Sequence, residues 1–395
     1  MIISIVTGVA LGILGFGQWR AQLIDQASLA QFESALDHVR QNYVEELSDE
    51  ELLQGALNGM LHSLDPHSAY LDAAQFNDLQ AETTGHFGGV GIELGLIDGY
   101  FTIITPIDNT PAARAGLQAG DRLLEMNGES LRGNSLIDVI HQMRGEPGTS
   151  VKLRYKRSNS KRLRDVTLER DVIAVASVTH RWLTPGYAYV RISQFQTTTG
   201  ADFNKALTKL QRSASDGIRG LVLDLRNNPG GVLQASVTVV DSLLGDGLIV
   251  YTEGRKPSSK LKYRAAGKDQ LAGAPIVVLI NGASASASEI VAGALKDHGR
   301  AVLMGETSYG KGSVQSLVPL SDDRAIKLTT AYYFTPSGRS IHKLGIEPDV
   351  EFVDNGSHED FDQALLNRAL DALASHMPGT KEPLELQAQL TDTAD

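Results

Sequence analysis

Residues 275–289 read PIVVLINGASASASE, and the architecture of the chain follows from this run. Its first six residues are apolar, as is typical of a strand that is buried on both faces. The small residues that follow predict a tight turn, and residues 289–296 predict a helix. The apolar run at 220–225 repeats this plan, since it leads into RNNPGG at 226–231 and a helix predicted over 232–244. Buried strands that alternate with helices predict a layered α/β domain.

The two turns are also where chemistry is expected. A small-residue turn between a strand and a helix lets a hydroxyl project at the sheet edge, beside the free amides that begin the helix. This arrangement suits a serine nucleophile and an oxyanion hole. An ordinary helix cap is the alternative for this turn, and Ser288 with Glu289 fits that role.

A serine nucleophile needs a base, and Lys311 is the candidate. It lies in YGKGSVQ at 309–315, between two glycines and before an apolar strand pattern. Burial would lower the lysine pKa from about 10.4 toward neutrality and allow the amine to accept a proton. On a strand, residues 311, 313 and 315 point the same way, so Gln315 would share a face with Lys311 and orient its amine. A surface lysine in a glycine loop is the alternative.

A β-rich domain with two helices is predicted before this core, at residues 85–170. Glycines cluster at positions 88, 89 and 91, and they are followed by a strand pattern at 101–104, the run TPAARAGLQAGDRLLEMNG at 110–128 and a helical pattern at 136–143. This order resembles a PDZ domain. PDZ domains add a peptide as an extra strand beside a glycine-rich loop whose amides receive a terminal carboxylate. The resemblance assigns that loop to Gly89, Val90, Gly91 and Ile92.

The chain as a whole is similar to the carboxyl-terminal processing peptidases, a family of tail-specific serine proteases. The similarity covers roughly residues 30–350 and rests on LDPHSAYL at 64–71, DLRNNPGG at 224–231, ASASEIVAGALKD at 285–297, YGKG at 309–312 and GIEPD at 345–349. It implies a multidomain α/β protein with a crotonase-like protease core at residues 175–354.

The resemblance also implies roles for individual residues. Ser286 matches the nucleophile of the family, Lys311 matches its general base, and Gln315 matches the glutamine four residues after that base. Many members of the family have Thr or Gly near position 284, where this chain has a serine. Ser284, Ser286 and Ser288 therefore remain alternatives for the attacking group.

The same resemblance implies an oxyanion hole and a regulatory arginine. Ala287 and a glycine of the pair Gly230 and Gly231 match the amide donors of the hole. Arg144 follows the helix that would line the peptide groove of the PDZ domain. In the family, an arginine at this kind of position couples peptide binding to the alignment of the catalytic residues, whereas a solvated charge at a helix end is the alternative.

The function implied by the resemblance is that of a serine endopeptidase without a cofactor. It would process or degrade envelope proteins from or near their C-termini, and its PDZ domain would bind those C-termini and regulate activity. The implied location is the bacterial cell envelope, on the periplasmic side. An activator or adaptor protein and homo-oligomers are the implied partners besides the substrate.

The two ends of the chain carry no predicted chemistry. Residues 2–19 lack charged side chains, and this length fits the apolar part of a signal peptide or a membrane anchor of about 18 residues. A buried N-terminal helix is the alternative. Residues 27–84 predict a helical segment that is broken at DPHS, and residues 355–395 predict one amphipathic helix and a polar tail.

Composition excludes several classes of protein. The 395 residues include 36 Lys and Arg against 47 Asp and Glu, and the resulting net charge of −11 argues against sequence-independent nucleic-acid binding. The chain has no cysteine, which excludes disulfides, thiolate metal sites and a cysteine nucleophile.

Three other functions are weaker on the sequence. Residues 305–311 match the first seven positions of a nucleotide-binding phosphate loop, but Gly312 stands where Ser or Thr would hold magnesium, and residues 314–320 predict a strand rather than the required helix. The ten histidines show no H-E-x-x-H or other tight metal-ligand pattern. The presence of Ser286, Lys311 and Gln315 together argues against a non-enzymatic PDZ scaffold.

Overall fold

A computed structural model describes residues 26–375 of the chain, apart from 158–159, 161, 215–216 and 354–357. The apolar segment at 1–19 and the polar tail after residue 375 lie outside the described residues. Within the described part, no helix has both the length and the apolar character that crossing a membrane requires. The chain divides into two compact units, Met1–Tyr70 and Leu71–Asp395.

The first unit is helical, as its periodicity predicts. It contains α1 (Gln26–Asn42) and α2 (Asp49–His62), and strand β1 (Ala69–Leu71) begins at its end. Ser48 caps α2 by accepting from the backbone of Glu51, whose carboxylate in turn accepts from Ser48 N at 2.8 Å. The predicted break after α2 is a turn, because the Asp65 carboxylate accepts from the backbone N–H groups of His67 and Ser68.

The second unit begins with α3 (Ala73–Thr84) and continues into the region with the PDZ pattern. The elements of this PDZ region (residues 86–174) are β2 (His86–Gly89), β3 (Ile92–Ile97), β4 (Tyr100–Pro106), α4 (Pro111–Arg114), β5 (Arg122–Met126), β6 (Glu129–Ser130), α5 (Leu136–Met143), β7 (Ser150–Lys156), β8 (Leu163–Glu169) and β9 (Asp171–Ala174). One sheet has the strand order β3-β4-β5-β7-β8, and β2 pairs with β9. Strand β3 is therefore an edge strand, and α5 packs beside it.

The remaining elements form the α/β core. They are β10 (Val178–Thr184), β11 (Tyr187–Ile192), α6 (Thr199–Ser213), β12 (Gly220–Asp224), α7 (Leu233–Asp241), β13 (Gly247–Glu253), β14 (Lys262–Ala265), β15 (Ile276–Ile280), α8 (Ala287–Asp297), β16 (Ala301–Gly305), β17 (Ser313–Pro319), β18 (Ala325–Phe334), β19 (Val350–Glu351) and α9 (His358–Ser375). The main sheet has the order β10-β11-β12-β15-β16-β19, with all pairs parallel except β10 with β11. Strand β18 pairs with β13 and β17 in a second sheet.

Both faces of the main sheet are buried, as the continuous apolar runs predict. Leu221 and Leu223 face the large core that contains side chains of α6, α7 and α8, whereas Val222 packs with residues of α9. The sequence between 253 and 268 supplies β14, which pairs antiparallel with β13. Helices thus cover both faces of the main sheet, so the ends of its strands are the parts that remain accessible.

The loop between β2 and β3 requires glycine at position 91. Gly91 has a φ of +78°, and a Cβ built on it would lie 2.3–2.5 Å from the side-chain atoms of Thr110. Thr110 is itself fixed, because its hydroxyl donates to the carbonyl oxygen of Ile107 at 2.6 Å. Glycine is therefore required at position 91 for two reasons. The backbone there is left-handed, and the side chain of Thr110 lies too close for a Cβ atom.

Replacing Gly91 by alanine should destabilise the PDZ region more than the same change at Gly99. Gly99 has a similar φ of +75° but nothing within 4 Å of the added Cβ, so it serves as the matched control. Both variants carry the left-handed penalty of about 1–2 kcal/mol, and Gly91→Ala adds about 1–3 kcal/mol of overpacking. Calorimetric unfolding of the full chain measures the difference, and equal destabilisation by the two variants would contradict the close contact with Thr110.

Candidate active site

The two glycine-bearing turns predicted from the sequence meet at one edge of the main sheet. Strands β12 and β15 are parallel neighbours with Asp224 opposite Leu279, so the segments that follow them leave the sheet side by side. Asn227 N donates to Asn281 Oδ1 at 3.0 Å, and Asn281 Nδ2 donates to Asn227 Oδ1 at 2.9 Å. This reciprocal pair joins the two turns.

The buried residue Asn228 also connects the two turns. Its carbonyl oxygen accepts from Ala285 N and from Ser288 Oγ, both at 3.0 Å. Its side-chain amide donates to Ile192 O at 2.9 Å, and its Oδ1 accepts from Gly230 N at 2.9 Å. Asn228 therefore ties the glycine turn to the serine turn and to the end of β11.

The three serines of the turn have different surroundings. Ser284 Oγ donates to Leu225 O at 2.9 Å, and Ser288 Oγ donates to Asn228 O. Both side chains are fully buried, so their hydroxyls serve the backbone of the neighbouring turn. Ser286 retains slight exposure and makes no such bond to a carbonyl oxygen among the residues that the structure describes.

The backbone of Ser286 is strained. Its φ of 55° and ψ of −111° lie outside the regions that L-residues ordinarily adopt. Such conformations persist only where surrounding contacts determine them, and they cluster at active sites. Ser286 directly precedes Ala287, the first residue of α8, so its side chain stands beside the open amides at the start of that helix.

The structure narrows the choice of oxyanion donors. A Cβ on Gly230 would lie 2.7 Å from Ser286 Cβ and 2.9 Å from Ala287 N, so only glycine fits beside the serine. The amide of Gly230 is already used by Asn228. The amides of Gly231 and Ala287 have no acceptor within the described ranges, which makes them available to a developing oxyanion.

The turn is braced by the buried carboxylate of Glu289. Four groups donate to this carboxylate, namely Ser308 Oγ at 2.5 Å, Gly310 N at 2.6 Å, Ser286 N at 2.7 Å and Lys311 N at 2.9 Å. Burial raises the pKa of Glu289, while the hydrogen bonds that it accepts act to lower it. One side chain thus joins the backbone of Ser286 to the backbone of Lys311, a role that the sequence pattern assigned only to an ordinary cap.

The side chain of Lys311 is partly buried. Burial lowers the pKa of its side chain, and the positive charge of Lys327 on β18 lowers it further, whereas Glu289 raises it. A lowered pKa increases the neutral fraction that can accept a proton. Among the described residues, Lys311 Nζ forms no hydrogen bond with Ser286 Oγ.

Tyr333, which the sequence analysis missed, lies beside the serine. Its ring is buried, and burial raises the pKa of its hydroxyl to about 12, while a side-chain hydrogen bond with Ser286 lowers it. Its backbone N donates at 2.8 Å to the carbonyl oxygen of Gly312, next to Lys311. Tyr333 and the lysine segment are therefore neighbours in one sheet.

The strand that carries Gln315 begins after Lys311. Because β17 starts at Ser313, strand alternation does not place Lys311 and Gln315 on one face. The irregularity at Val314 and Gln315 places the extra residue, Thr330, on β18. Gln315 Nε2 donates to Ser313 Oγ at 2.9 Å and to Thr329 Oγ1 at 3.4 Å. The amide lies close to the lysine along the chain, but its bonds run to hydroxyls of β17 and β18.

The predicted peptide loop lines a groove between β3 and α5. This groove has a volume of about 250 Å³ and is lined by Phe87, Gly89, Val90, Gly91, Ile92, Glu93, Leu94, Ile140, Met143 and Arg144. Within the described residues, the amides of Val90 and Gly91 have no hydrogen-bond acceptor. The groove therefore combines an apolar wall, a free strand edge and two open donors, as peptide addition requires.

Within the described ranges, no hydrogen bond or ion pair of Arg144 reaches the α/β core. Its Nη1 donates to the carboxylate of Asp78 on α3, and its guanidinium lies 5.0 Å from the centre of the Phe87 ring. The regulatory contact expected from the sequence resemblance is thus not the one formed here.

Two observations concern the rival nucleotide and metal sites. Gly305 ends a strand and Ser313 begins the next one, so the segment with the phosphate-loop pattern does not open a helix. No cluster of three or more histidine or acidic side chains suited to a metal ion occurs in the same described ranges.

Comparison with known proteins agrees with this architecture. The model of Peptidase family S41 matches residues 186–352, a PDZ domain model matches 102–157, and a model described as the activating protease CtpB N-terminal domain matches 17–75. A carboxy-terminal-processing protease of Bartonella bacilliformis is 42% identical over 355 residues, which is 90% of this chain and 81% of that protein. The carboxy-terminal processing protease CtpB of Bacillus subtilis is 37% identical over 82% of this chain and 67% of its own length. A solved structure from Bacteroides fragilis, described as an S41 protease, shares 18% identity and a TM-score of 0.52 over 85% of this chain and 91% of its own, and it supports the fold alone.

The protein is a serine-type peptidase that carries a PDZ domain. The chain belongs to the carboxy-terminal processing proteases of peptidase family S41. The family and the fold class that the sequence resemblance implies are thereby confirmed.

Replacing Glu289 by glutamine should destabilise the core. The amide would turn an NH₂ group toward two of the four donors, and each buried donor left without an acceptor costs about 1–3 kcal/mol. We expect a loss of about 2–4 kcal/mol in total. The fluorescence of Trp182 on β10 follows the unfolding of this sheet.

Glu306→Gln is the matched control for this variant. Glu306 follows β16 in the same core, and its carboxylate has no hydrogen bond or ion pair among the residues described. Its neutralisation should leave the unfolding midpoint nearly unchanged. Equal midpoints for Glu289→Gln and the wild type would contradict the bracing role of Glu289.

Proposed function

We propose that this peptidase is a serine endopeptidase in which Ser286 is the nucleophile and Lys311 the general base. The observation that carries the proposal is the Glu289 carboxylate, which binds Ser286 N and Lys311 N and so holds the two residues in one site. The environments of Ser284 and Ser288 support the same choice, because both hydroxyls are engaged in structural bonds.

The chemistry follows from these positions. Neutral Lys311 takes the proton of the Ser286 hydroxyl as the oxygen attacks the peptide carbonyl. The negative charge that develops on the carbonyl oxygen is stabilised by the amides of Gly231 and Ala287 and by the start of α8. The lysine ammonium then gives its proton to the departing amine, and a water molecule hydrolyses the acyl-enzyme with Lys311 again accepting a proton.

The arrangement of the site supports a resting state that must be rearranged for turnover. Tyr333 lies close enough to the Ser286 side chain for the two groups to interact, and no hydrogen bond joins Ser286 Oγ to Lys311 Nζ among the described residues. For attack, the serine hydroxyl must form a hydrogen bond with the lysine amine. The proposed role of Gln315 is to receive or orient that amine, which requires it to leave Ser313 or Thr329.

The PDZ region is proposed to bind the C-terminus of the substrate and to regulate this exchange. The free edge of β3 would pair with the peptide, and the amides of Val90 and Gly91 would receive its carboxylate. The apolar lining of the groove favours an apolar last residue. Arg144 is proposed to link peptide binding to the core, which requires it to leave its present partner.

The substrate class and location are proposed from the family. The chain would process or degrade bacterial envelope proteins from or near their C-termini, on the periplasmic side, with residues 1–19 as an export signal or anchor. The match to the N-terminal domain of an activating protease supports an activator or adaptor as partner. Homo-oligomers formed through the terminal segments remain part of the proposal.

Alanine variants of the three serines test the nucleophile directly. Ser286→Ala should abolish cleavage of a protein substrate while the unfolding midpoint stays close to that of the wild type. Ser284→Ala and Ser288→Ala should lower the midpoint, because each removes a buried hydrogen bond of about 1 kcal/mol, but folded enzyme should still cleave. Mass-spectrometric maps of the products give the readout, and a Ser286→Ala enzyme that still cuts at the same sites would exclude this nucleophile.

The pH dependence tests the base. Because the pKa of Lys311 is lowered, the neutral amine forms at a lower pH than for an ordinary lysine, and kcat/KM should rise with pH through that lowered pKa. Lys327 disfavours the charged form of Lys311, so Lys327→Met should raise the pKa of Lys311. The acidic limb of the curve of kcat/KM against pH should then move to higher pH.

Lys343→Met is the control for this pH experiment. Lys343 is an exposed lysine whose backbone N donates to Gly310 O at 2.8 Å, but its charge is not among the causes of the Lys311 shift. Its removal should leave the acidic limb in place. A limb that moves to lower pH in Lys327→Met would contradict the assignment of Lys311 as the titrating base.

A further inference from the structure

The Arg144 side chain has one donor that the protein itself leaves unused. Its Nε is buried and has no hydrogen-bond partner among the described residues. Buried donors are satisfied in the great majority of folded proteins, so such a group indicates an acceptor that is supplied from outside. Arg144 and Phe87 both line the groove of the PDZ region, beside the open amides of Val90 and Gly91.

The other end of the guanidinium is held by a residue outside the PDZ region. Asp78 belongs to α3, and its Oδ1 accepts from Arg144 Nη1. Its Oδ2 lies 3.4 Å from Nε2 of His141, one turn earlier on α5. Two side chains from the groove helix therefore enclose one carboxylate that is about one-third exposed.

We infer that Asp78 is an internal competitor for the carboxylate of the peptide that enters this groove. The inference rests on the proposed function of the PDZ region and names the residue that sets its affinity. Arg144 is the side-chain cation of the groove, and a terminal carboxylate is the ligand that its unused Nε and the loop amides suit. While Asp78 is paired with the guanidinium of Arg144, its negative charge balances the positive charge that would attract the carboxylate of the ligand.

Two physical effects act in the same direction. The ligand carboxylate must displace or share the Asp78–Arg144 ion pair, and it must also approach a second negative charge. Both effects vanish for a peptide whose terminal carboxylate is amidated. Asp78 therefore weakens the binding of a free C-terminus and leaves the binding of an amide-capped peptide unaffected.

The end of α5 places Arg144 close to both the peptide loop and Asp78. Gly145 N donates to Gly88 O at 3.1 Å, so the second residue after the helix end is tied to the strand that leads into the peptide loop. Arg144 thus stands between the loop and α3. Its release from Asp78 frees the arginine for the ligand and, through it, for the coupling role proposed above.

The test uses the full chain with Ser286→Ala, which prevents cleavage during binding. The probe is a fluorescently labelled decapeptide ending in Val-Val-Leu, prepared with a free carboxylate and with a terminal amide, and fluorescence anisotropy gives the dissociation constants. Asp78→Asn should bind the acid peptide about three- to fivefold more tightly, as expected for loss of a partly exposed ion pair. Its affinity for the amide peptide should not change.

Three further variants make the test specific. Glu82→Gln removes an exposed charge one turn later on α3, from a carboxylate without a hydrogen bond or ion pair in the described part of the chain, and should change neither affinity. Asp78→Ala must act in the same direction as Asp78→Asn. In an Arg144→Ala background, Asp78→Asn should lose most of its effect, because the competition acts through the arginine.

The outcomes separate this inference from the function on which it rests. If the parent binds the acid more tightly than the amide but Asp78→Asn gains nothing or binds more weakly, only the competitor role is overturned. If acid and amide bind equally in the parent and in Asp78→Asn, the carboxylate-reading role of the PDZ region falls as well. If they bind equally in the parent and the acid is favoured only in Asp78→Asn, Asp78 masks the site and the inference holds.

Discussion

The turn that presents the candidate nucleophile and the segment that carries the candidate base converge on one buried carboxylate. Glu289 Oε2 accepts from Ser286 N and Lys311 N, and its Oε1 accepts from Gly310 N and Ser308 Oγ. The Ser308 hydroxyl in turn accepts from Ile346 N at 2.7 Å, which extends the brace to the segment that follows β18. In a low-dielectric interior such bonds are strong when fully satisfied, so the backbone geometry is set before any substrate arrives.

Asn228 fixes the position of the glycine turn, as Glu289 fixes that of the lysine segment. It holds the strained Ser286 turn from the opposite side through its carbonyl oxygen and keeps Gly230 against it through its side-chain Oδ1, so the candidate oxyanion amides and the serine backbone are fixed in place. The side chains of Ser286 and Lys311 are left free to change partners. A rigid backbone therefore defines the candidate site, and under the proposed function a small exchange of side-chain contacts, biased from the PDZ region, completes it.

Much of this design is visible in the sequence, for local reasons. Apolar runs predict β12 and β15, and small residues after them predict the turns, because both signals depend on neighbouring residues. The bracing role of Glu289 escapes such reasoning, since three of its donors lie 19 to 22 residues away in the chain. The bulge on β18 opposite Gln315 and the proximity of Tyr333 to Ser286 are likewise set by strand pairing and tertiary packing, and Asp78 meets Arg144 across 66 residues.

The most direct test is to locate the serine that a fluorophosphonate modifies, since the reactive oxygen attacks phosphorus and displaces fluoride. The full chain is treated with the reagent, digested, and analysed by tandem mass spectrometry over the peptide that contains residues 281–296. We expect a single phosphonylated side chain, Ser286, and no adduct on this peptide in Ser286→Ala. An adduct on Ser284 or Ser288, or labelling of this peptide that persists in Ser286→Ala, would contradict the assignment of Ser286 as the nucleophile.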